Sequence, residues 1–488
     1  MADLFHLQIL IPWFLCMMLG IFVGATPGLT ATMAVALIVP ISFYMPPNAG
    51  LAMIIGVSFT AIFAGDIPAT YLRIPGTPAS AAATLDGHEM CKRGRGGLAL
   101  TLDVYCSSLG GLIGVGLLMV LAPQLAAFAL RFSHFEYFWM ALLGLCMSAV
   151  VSQGSLLRGL FSAALGILLS TIGLDGISGA QRFTFGQIDL MDGLGFIPVM
   201  IGLFGLSEVL RNVVHGKQLS QATLPAGVTL DHKKAWTEIW RRKGTVLKSS
   251  IAGTVIGALP GAGADIAAWA AYGLAQKTSR EGKSFGTGAV EGVIAPTSAN
   301  NAAVAGAWIP ALVFGIPGDA VTAIVLGALI IYDIKPGPAL FRDHADQVSN
   351  IFQIALWTQL FLIPCGLLGV KAFSWILRLP RGVVMTAVTV FSVVGSYTMR
   401  NSLFDVYIMF AFGLIGFFLE SRKVPLAPLI LGLILGPVLE ETFRTGLIKS
   451  EGSFQPFLLR PICLVLWITL FAALAAPGFY SLWRRRAR

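Results

Sequence analysis

The chain has 488 residues, of which 56% are hydrophobic and 12% are charged, and its mean hydropathy is +0.80. A soluble domain carries roughly a quarter of its residues as charged side chains, so this composition excludes a soluble globular protein and predicts an integral membrane protein. The formal charge of +9 does not indicate nucleic-acid binding, because the basic residues lie in short segments between apolar spans and at the C-terminus. Such a distribution reports membrane orientation.

The first apolar segment starts within ten residues of the N-terminus and is expected to stay in the mature protein. The residues before it include Asp3 and no Lys or Arg, whereas a secretory signal peptide begins with a positively charged region. We therefore interpret the stretch up to Val23 as part of the membrane domain.

Two short motifs occur twice along the chain in the same order. The motif G-x-x-x-G-A-x-P-G begins at Gly20 and again at Gly253, and the motif I-P-A-x-x-x-x-I-P-G begins at Ile67 and again at Ile309. The second copies follow the first by 233 and 242 residues, which are nearly equal offsets. Two ordered matches of this kind predict an internal repeat.

The charges that flank the two copies predict that the repeats are inverted. Residues 46–50, after the first Pro-Gly motif, are uncharged, whereas 277–288, at the matching place in the second copy, carry Lys277, Arg280 and Lys283. Because cytoplasmic loops are enriched in Lys and Arg, equivalent loops are expected on opposite sides of the membrane. With five crossings in each half and a last span at 460–482, the sequence predicts about 11 crossings, a periplasmic N-terminus and a cytoplasmic C-terminus.

The predicted fold is an all-α integral membrane protein built from two inverted-topology repeats with re-entrant hairpins broken by Pro-Gly pairs. The first repeat is placed at residues 1–240, with a core at 9–97 and a basic cytoplasmic loop at 211–248. The second repeat is placed at 241–440, with a core at 249–346. Residues 441–488 are predicted to form a C-terminal helix and a basic tail.

The Pro-Gly pairs inside apolar segments point to a transport site. Proline removes a helix donor and glycine adds backbone freedom, so each pair is expected to interrupt its helix and free backbone N–H and C=O groups. Broken segments at matching positions of two inverted halves are a sequence indicator of a transporter's midplane site, where helix N-termini bind anions. The predicted substrate-binding residues are Pro27, Gly28, Thr30, Pro75, Gly76, Thr77, Ser80, Pro260, Gly261, Ser298, Asn300, Asn301, Pro317, Gly318 and Thr322.

Small residues also have a purely structural interpretation, because Gly, Ser and Thr let membrane helices pack closely. We assign that role to Gly20, Gly24 and their copies. For the run 298–301 we favour the binding site, and for each single threonine both interpretations stay open.

Ionisable residues within the repeat cores are functional candidates because charges inside a membrane are costly. The candidates for coupling to a transported cation, Na⁺ or H⁺, are Asp265, Asp319 and Asp66. Asp103 and Asp405 lie at predicted span ends and are expected to be solvated. Arg73 either faces an anionic substrate or extends to the cytoplasmic surface.

No sequence pattern favours an enzyme, a cofactor or a bound metal other than a transported ion. The chain has no H-E-x-x-H, phosphate-loop or G-x-S-x-G motif, and its six cysteines form no C-x-x-C pair. A transport protein that lacks these motifs is expected to work by a secondary mechanism or with energy from another chain.

At these same residues the sequence resembles the large membrane subunit of the bacterial tripartite tricarboxylate transporters. The resembling segments are GATPGLTATMAVALIVP (24–40), IPATYLRIPGTPASAAATLDGHEM (67–90), GALPGAGADIAAWAAYGLA (257–275) and the longest, at 291–330. The resemblance implies a small carboxylate substrate, the bacterial inner membrane and two partners: a small four-helix membrane subunit and a periplasmic solute-binding protein. Thr297 and Asp319 depart from the family pattern, which has Glu and a small residue there.

Two alternatives stay open from sequence. One is a carboxylate carrier that works without partner subunits, and the other is a membrane enzyme that acts on an anionic lipid. Membrane lipids are expected contacts in every case, and nucleic acid is not.

Overall fold

The computed structural model of the protein describes residues 2–152, 155–215, 230–376 and 380–486. Nearly all of the regular structure is helical, as the composition predicts. The helices are α1 (Leu7–Ala25), α2 (Ala31–Ser42), α3 (Pro47–Ala64), α4 (Asp66–Leu72), α5 (Ser80–Lys92), α6 (Gly96–Ala129), α7 (His134–Val151), α8 (Leu156–Ser170), α9 (Phe196–Met200), α10 (Ser207–His215), α11 (His232–Arg241), α12 (Lys243–Gly257), α13 (Gly263–Thr278), α14 (Val290–Phe314), α15 (Ala320–Ile331), α16 (Pro338–Asp343), α17 (Ala345–Ile376), α18 (Arg381–Arg400), α19 (Leu403–Ser421), α20 (Ala427–Lys449), α21 (Gln455–Leu459) and α22 (Pro461–Arg486).

The structure also contains a π-helical turn and two short strands. A π-helical turn at Ile201–Leu206 joins α9 to α10, so residues 196–215 form one continuous helical segment. Two short strands, β1 (Gly173–Leu174) and β2 (Gln181–Arg182), pair antiparallel in the connection that follows α8.

Within the described residues, seven helices are long and apolar enough to cross a membrane. They are Leu7–Ala25, Pro47–Leu72, Gly96–Ala129, Phe196–Val214, Ala345–Phe373, Gly382–Arg400 and Leu403–Ser421. Shorter apolar helices accompany them, among them α2, α8 and α15. The all-helical membrane class is therefore confirmed, while the total of about 11 crossings stays a prediction.

The order of the elements repeats along the chain. In the first half, the pair α1–α2 is followed by the helical stretch α3–α4, by α5 and by the long helix α6. In the second half, α12–α13 is followed by α14, α15 and the long helix α17. Each long helix then leads into three further helical segments, which are α7, α8 and 196–215 in one half and α18, α19 and α20 in the other.

Two central helices, α3 and α14, hold corresponding places in the halves. Each packs against the broken pair of its own half, α1 and α2 for α3, and α12 and α13 for α14. Each also packs against the long helix of the opposite half, so that α17 lies on α3 and α6 lies on α14. Nearly every residue of both helices is buried. The polar side chains of α14 are therefore surrounded by protein.

The remaining helices exchange partners between the halves in the same way. α20 packs on α8, and the segment 196–215 packs on α19. Small residues allow the first contact, because a Cβ added to Gly166 would lie 2.0 Å from the carbonyl oxygen of Leu429. The halves are thus interleaved in one core.

The segment predicted as a basic loop at 211–248 contains helices in its described part. α10 extends to His215, α11 spans His232–Arg241 and α12 begins at Lys243, while residues 216–229 lie outside the described residues. α11 is amphipathic, with Ala235 and Ile239 buried and Trp236 and Trp240 exposed. Exposed tryptophans beside basic residues are typical of a helix at the membrane interface. Of the predicted basic tail, residues 487–488 are likewise outside the described part.

Candidate functional site

All four predicted breaks are present in the structure. α1 ends at Ala25 and α2 starts at Ala31, while α4 ends at Leu72 and α5 starts at Ser80. In the second half, α12 ends at Gly257 and α13 starts at Gly263, while α14 ends at Phe314 and α15 starts at Ala320. Gly28 and Gly261 adopt matching left-handed conformations, with φ of 92° and 81°, which favour glycine.

The second and fourth breaks pack against the helices of the first and third at equivalent positions. A Cβ on Gly76 would lie 2.3 Å from the carbonyl oxygen of Gly24, and a Cβ on Gly318 would lie 2.7 Å from that of Gly257. The same atoms would meet the Cα atoms of Gly65 and Ala307, each at 2.7 Å. These distances leave no room for a side chain, so both breaks are held in place by backbone contact.

The two glycine motifs before the first and third breaks also make equivalent contacts. A Cβ on Gly24 would lie 2.2 Å from the carbonyl oxygen of Ala61, and a Cβ on Gly257 would lie 2.1 Å from that of Ala303. Gly20 and Gly253 approach the same central helices one turn earlier. The prediction that these glycines serve close helix packing is confirmed.

The structure brings the second, third and fourth breaks together. The N–H of Gly261 donates to the carbonyl oxygen of Gly318 at 2.7 Å. Asp265, in the first turn of α13, lies near the backbone of Ala79, which precedes α5, and the two helices pack together. Asp265 thereby connects the third break in the second half of the chain with the second break in the first half.

The first break lies at a different place. Gly28 is exposed, and its carbonyl oxygen accepts from the Asn212 side chain at 2.9 Å. The Thr30 hydroxyl accepts from the N–H of Met33 at 3.2 Å and caps α2. For Thr30, a structural role is therefore visible in addition to the predicted binding role.

The hydroxyls of the second break converge on the junction of α3 and α4. Thr77 Oγ1 and Ser80 Oγ lie 2.8 Å apart, and both side chains are buried. A Cβ on Gly65 would lie within 2.7 Å of both oxygens, so this glycine leaves the space that they occupy. The N–H of Gly76 donates to the carbonyl oxygen of Gly65 at 3.0 Å, which closes the turn.

Asp319 is the N-cap of α15. Its Oδ1 accepts from the N–H of Thr322 at 2.7 Å and from the Thr322 hydroxyl at 2.8 Å, while the N–H of Asp319 donates to that hydroxyl at 2.9 Å. This reciprocal pair is a capping box that uses Thr in place of Glu. Asp319 therefore has a structural partner at the position where the sequence predicted cation coupling, and Thr322 is engaged by the same cap.

The polar run of α14 lies inside a continuous helix between the third and fourth breaks. Ser298, Asn300 and Asn301 are buried, and no described residue hydrogen-bonds their side-chain polar atoms. Asn300 and Asn301 share one face with Thr297, since residues three and four apart meet on a helix. Buried polar atoms in proteins are nearly always paired, so unpaired amides here indicate a place for a polar ligand or water.

Asp103 and Asp405 are buried, which contradicts the expectation that both are solvated. Asp103 is 1% exposed inside α6, because that helix starts at Gly96 and places Asp103 two turns from its end. Asp405 is fully buried and forms a two-point ion pair with Arg400, in which Nε lies 2.9 Å from Oδ2. An ion pair is how buried charges are usually compensated.

Sequence reasoning missed the polar side chains that the long helices contribute. Ser107 of α6 and Gln359 of α17 are fully buried, and their side-chain polar atoms, like those of Asp103, lack a hydrogen-bond partner among the described residues. The sequence feature that could have indicated them was Asp103, an acidic residue within an apolar helix of 34 residues. Arg73, by contrast, is exposed at the end of α4, with a left-handed φ of 59°.

A cavity of about 950 Å³ lies away from the four breaks, between the connection after α8 and helices α15, α18 and α20. Arg182 makes two hydrogen bonds with Glu440, at 2.7 and 3.0 Å, and Arg444 contacts Asp175 at 2.7 Å. The side-chain hydrogen bond from Ser178, together with that of Arg444, holds the pKa of Asp175 below its usual range. Five acidic and two basic side chains line this cavity, so it favours cations over carboxylate anions.

A helical bundle with paired broken helices, buried polar groups between them and, within its described part, seven helices long and apolar enough to cross a membrane has the features of a multi-pass membrane transport protein. Comparison with known proteins identifies the family of this transport protein. The family model described as "Tripartite tricarboxylate transporter TctA family" matches residues 10–431, and the chain belongs to that family. This confirms the family resemblance read from the four motif segments.

Two relatives come from Agrobacterium vitis. The first, an uncharacterized 52.8 kDa protein in the TAR-I ttuC' 3' region, is 35% identical over 456 residues, which are 92% of this chain and 89% of that protein. The second, an uncharacterized protein in the TAR-II ttuC' 3' region, is 36% identical over 210 residues, 43% of this chain and 87% of that protein. No solved structure matches the chain.

Proposed function

We propose that this protein is the translocating subunit of a binding-protein-dependent secondary transporter that takes up small di- and tricarboxylates together with cations. Membership in the TctA family supports a transport subunit with partners. The single observation that carries the mechanism is the meeting of the second, third and fourth breaks through Gly261, Gly318 and the Asp265–Ala79 contact. Breaks that meet inside a membrane domain supply backbone groups that a transported ligand can use.

The substrate anion is proposed to bind at the helix starts of these breaks. α5 and α13 begin at Ser80 and Gly263, and their N-cap residues, Ala79 and Ala262, have no side chain that could cap the helix. The positive end of the helix dipole at each of these starts favours a carboxylate. The amides of Asn300 and Asn301 and the Ser298 hydroxyl, which have no partner in the described structure, supply additional donors from α14.

Cation coupling follows from the charge of the substrate. An inside-negative membrane potential opposes entry of an anion by ~2.3 kcal/mol per charge per 100 mV. A dicarboxylate or tricarboxylate therefore accumulates only when enough cations move with it to make the transported complex neutral or positive. Carboxyl and hydroxyl oxygens near the breaks are hard ligands of the kind that Na⁺ uses, and the same carboxyls can carry protons.

The proposed setting is the bacterial inner membrane, with a periplasmic N-terminus and a cytoplasmic C-terminus. The partners are a small four-helix membrane subunit and a periplasmic solute-binding protein that delivers the substrate. The reversed charges of equivalent loops support this orientation. Loss of uptake on deletion of the binding protein separates the proposal from a carrier that works alone.

The test of the site is substrate binding by the Asn300→Ala and Asn301→Ala variants of the reconstituted complex. Removal of a buried hydrogen-bond partner costs ~1–3 kcal/mol, which is roughly 5- to 150-fold in affinity. Ser250→Ala is the control, because this buried hydroxyl donates to the carbonyl oxygen of Val246 within its own helix. If both asparagine variants transport with unchanged KM, α14 does not contribute to the anion site.

A further inference from the structure

We propose that Asp66 and Asp103 together hold the monovalent cation that accompanies the substrate. This inference rests on the proposed function, since it assigns the coupling ion of the same transport cycle to a particular pair. Asp66 begins α4 beside the second break, and Asp103 lies in the long helix α6. The pair therefore links the second break to α6, the long helix that packs on α14 of the opposite half.

The two carboxyls are neighbours and are out of reach of solvent. Each residue is 1% exposed, the helices that carry them, α4 and α6, pack together, and the two side chains interact. All four carboxyl oxygens lack a hydrogen-bond partner among the described residues, and none of the described basic side chains forms an ion pair with them. Asp405 shows the contrast, because it is equally buried but paired with Arg400.

Two adjacent carboxylates cannot both stay charged and uncompensated inside a membrane protein. Burial in a medium of low dielectric constant disfavours each charge, and the like charge of the neighbour disfavours it further. The pair is stable when one positive charge, either a proton or Na⁺, lies between the two groups. A buried ionisable pair without a basic partner among the described residues is therefore a cation site by its chemistry.

Oxygen atoms from two more helices complete a shell for the cation. The Ser80 side chain of α5 lies near Asp66 and the Thr297 side chain of α14 lies near Asp103, in each case without hydrogen-bond geometry. The Thr297 hydroxyl donates its proton to the carbonyl oxygen of Val293 at 2.6 Å, which leaves its lone pairs free. Hard oxygen ligands of this type suit an alkali cation, and the carboxyls also accept a proton.

An independent observation points to a polar occupant. Ser107, one turn beyond Asp103 on α6, is fully buried with an unpaired hydroxyl. Ser298 of α14 is also fully buried with an unpaired hydroxyl, and its backbone packs on Gly110 of α6, where an added Cβ would lie 2.1 Å from the Ser298 carbonyl oxygen. Polar groups buried without protein partners are normally satisfied by water or an ion.

The other titratable groups on the packed helices do not supply the missing charge. Cys106 faces Asp103 from the same helix and has no positive form. Asp86 of α5 accepts from the Tyr272 hydroxyl at 2.9 Å and from the N–H of Gly288 at 2.7 Å. His88 of α5 contacts the carbonyl oxygen of Thr70 at 3.0 Å. The pair must take its cation from solution.

The location of the pair explains how ion and substrate are linked. Ser80 contacts both Asp66 and Thr77, and the adjacent Ala79 faces Asp265 of the other half. Occupancy by a cation draws Asp66, Ser80 and Thr297 together and so fixes the second break against α14. The substrate donors at the start of α5 then take their binding positions only when the ion is present.

The experiment measures ion binding by the full-length chain in lipid nanodiscs, without substrate. Binding of ²²Na⁺ is followed by scintillation proximity, and protons bound per chain at pH 7 are counted by potentiometric titration. The variants are Asp66→Asn and Asp103→Asn, which keep the side-chain shape, and the control is Asp346→Asn, an exposed carboxyl at the start of α17. Size-exclusion profile and thermal unfolding verify that each variant folds.

If the occupant is Na⁺, the wild-type chain binds ²²Na⁺ saturably and either variant weakens this binding at least tenfold. If the occupant is a proton, none of the chains binds ²²Na⁺, and the wild-type chain holds one proton more than either variant at pH 7. Binding of Na⁺ and protons by both variants equal to that of the Asp346→Asn control overturns the inference.

A second measurement separates this inference from the proposed function. Exchange of labelled citrate or succinate across proteoliposomes, with the three subunits present, is compared for wild type and variants. Variants that still respond to the same ion gradient as the wild type overturn the cation site while the transport function stands. A chain that binds the cation at the pair but moves no di- or tricarboxylate overturns the transport function alone.

Discussion

Replacement of Gly76 or Gly318 by alanine tests whether the breaks are held by backbone contact. A Cβ on Gly76 would lie 2.3 Å from the carbonyl oxygen of Gly24, and a Cβ on Gly318 would lie 2.7 Å from that of Gly257. Ordinary contacts of a Cβ begin near 3.4 Å, so the loop must move by about 1 Å in the first case and somewhat less in the second. All of these neighbours are backbone atoms, which cannot rotate away.

Overpacking of this kind costs typically ~1–3 kcal/mol, so both variants are expected to lower the free energy of unfolding by that amount. The second effect is on transport, because movement of the Gly76 turn displaces Thr77 and Ser80, whose hydroxyls pack against Gly65. Gly76→Ala is therefore expected to lower the uptake per folded molecule, in addition to lowering the amount of folded protein. Chemical unfolding in detergent and uptake per folded molecule are the two measurements.

The matched control is Gly273→Ala in α13, where no atom of the described residues lies within 4 Å of an added Cβ. In a helix interior this change favours the folded state by up to ~1 kcal/mol, so stability is expected to hold or rise. If Gly76→Ala and Gly318→Ala unfold at the same denaturant concentration as Gly273→Ala, the close backbone contacts do not exist as described.

Three further predictions concern the cap of α2, the loop after α8 and the membrane topology. Thr30→Ala is expected to lower the free energy of unfolding by ~1 kcal/mol through loss of the helix cap, while Thr30→Ser retains it; equal stability of the two variants would refute the capping role. Asp175 has a lowered pKa in the folded protein, so its stabilising effect is complete above its ordinary pKa and is lost as the pH falls below it. Amide exchange in 171–195, corrected for its intrinsic pH dependence, should therefore accelerate in acid, and an unchanged rate counts against the ion pair. Cysteine labelling should find residues 46–50 on the periplasmic side and 277–288 on the cytoplasmic side. Labelling of both segments from the same side would refute the inverted topology.

The breaks were predictable from sequence because their cause is local. Proline cannot donate a helix hydrogen bond, and glycine alone tolerates the φ of 92° at Gly28 and 81° at Gly261. The repeated glycine motifs could be recognised because their glycines meet equivalent backbone atoms, as Gly24 meets Ala61 and Gly257 meets Ala303. Sequence patterns of this kind need no knowledge of distant contacts.

The interleaving of the halves and the partners of the buried charges could not be predicted in this way. Asp103 and Asp405 both lie near predicted span ends, and only the three-dimensional packing shows that Arg400 pairs with one of them while the other faces Asp66. The capping role of Asp319 depends on where α15 begins within one residue. The packing of α6 on α14, two helices that are far apart in the sequence, then determines which polar residues lie in one site.

The central claim is that carboxylate uptake by this chain depends on a binding protein and a cation gradient. The most direct measurement is uptake of labelled citrate and succinate by proteoliposomes that contain the chain and the small membrane subunit, with the binding protein added outside. Gradients of Na⁺ and of pH are imposed separately. We predict accumulation that needs the binding protein and follows at least one of the two gradients. Accumulation without the binding protein, or uptake that follows neither gradient, contradicts the account.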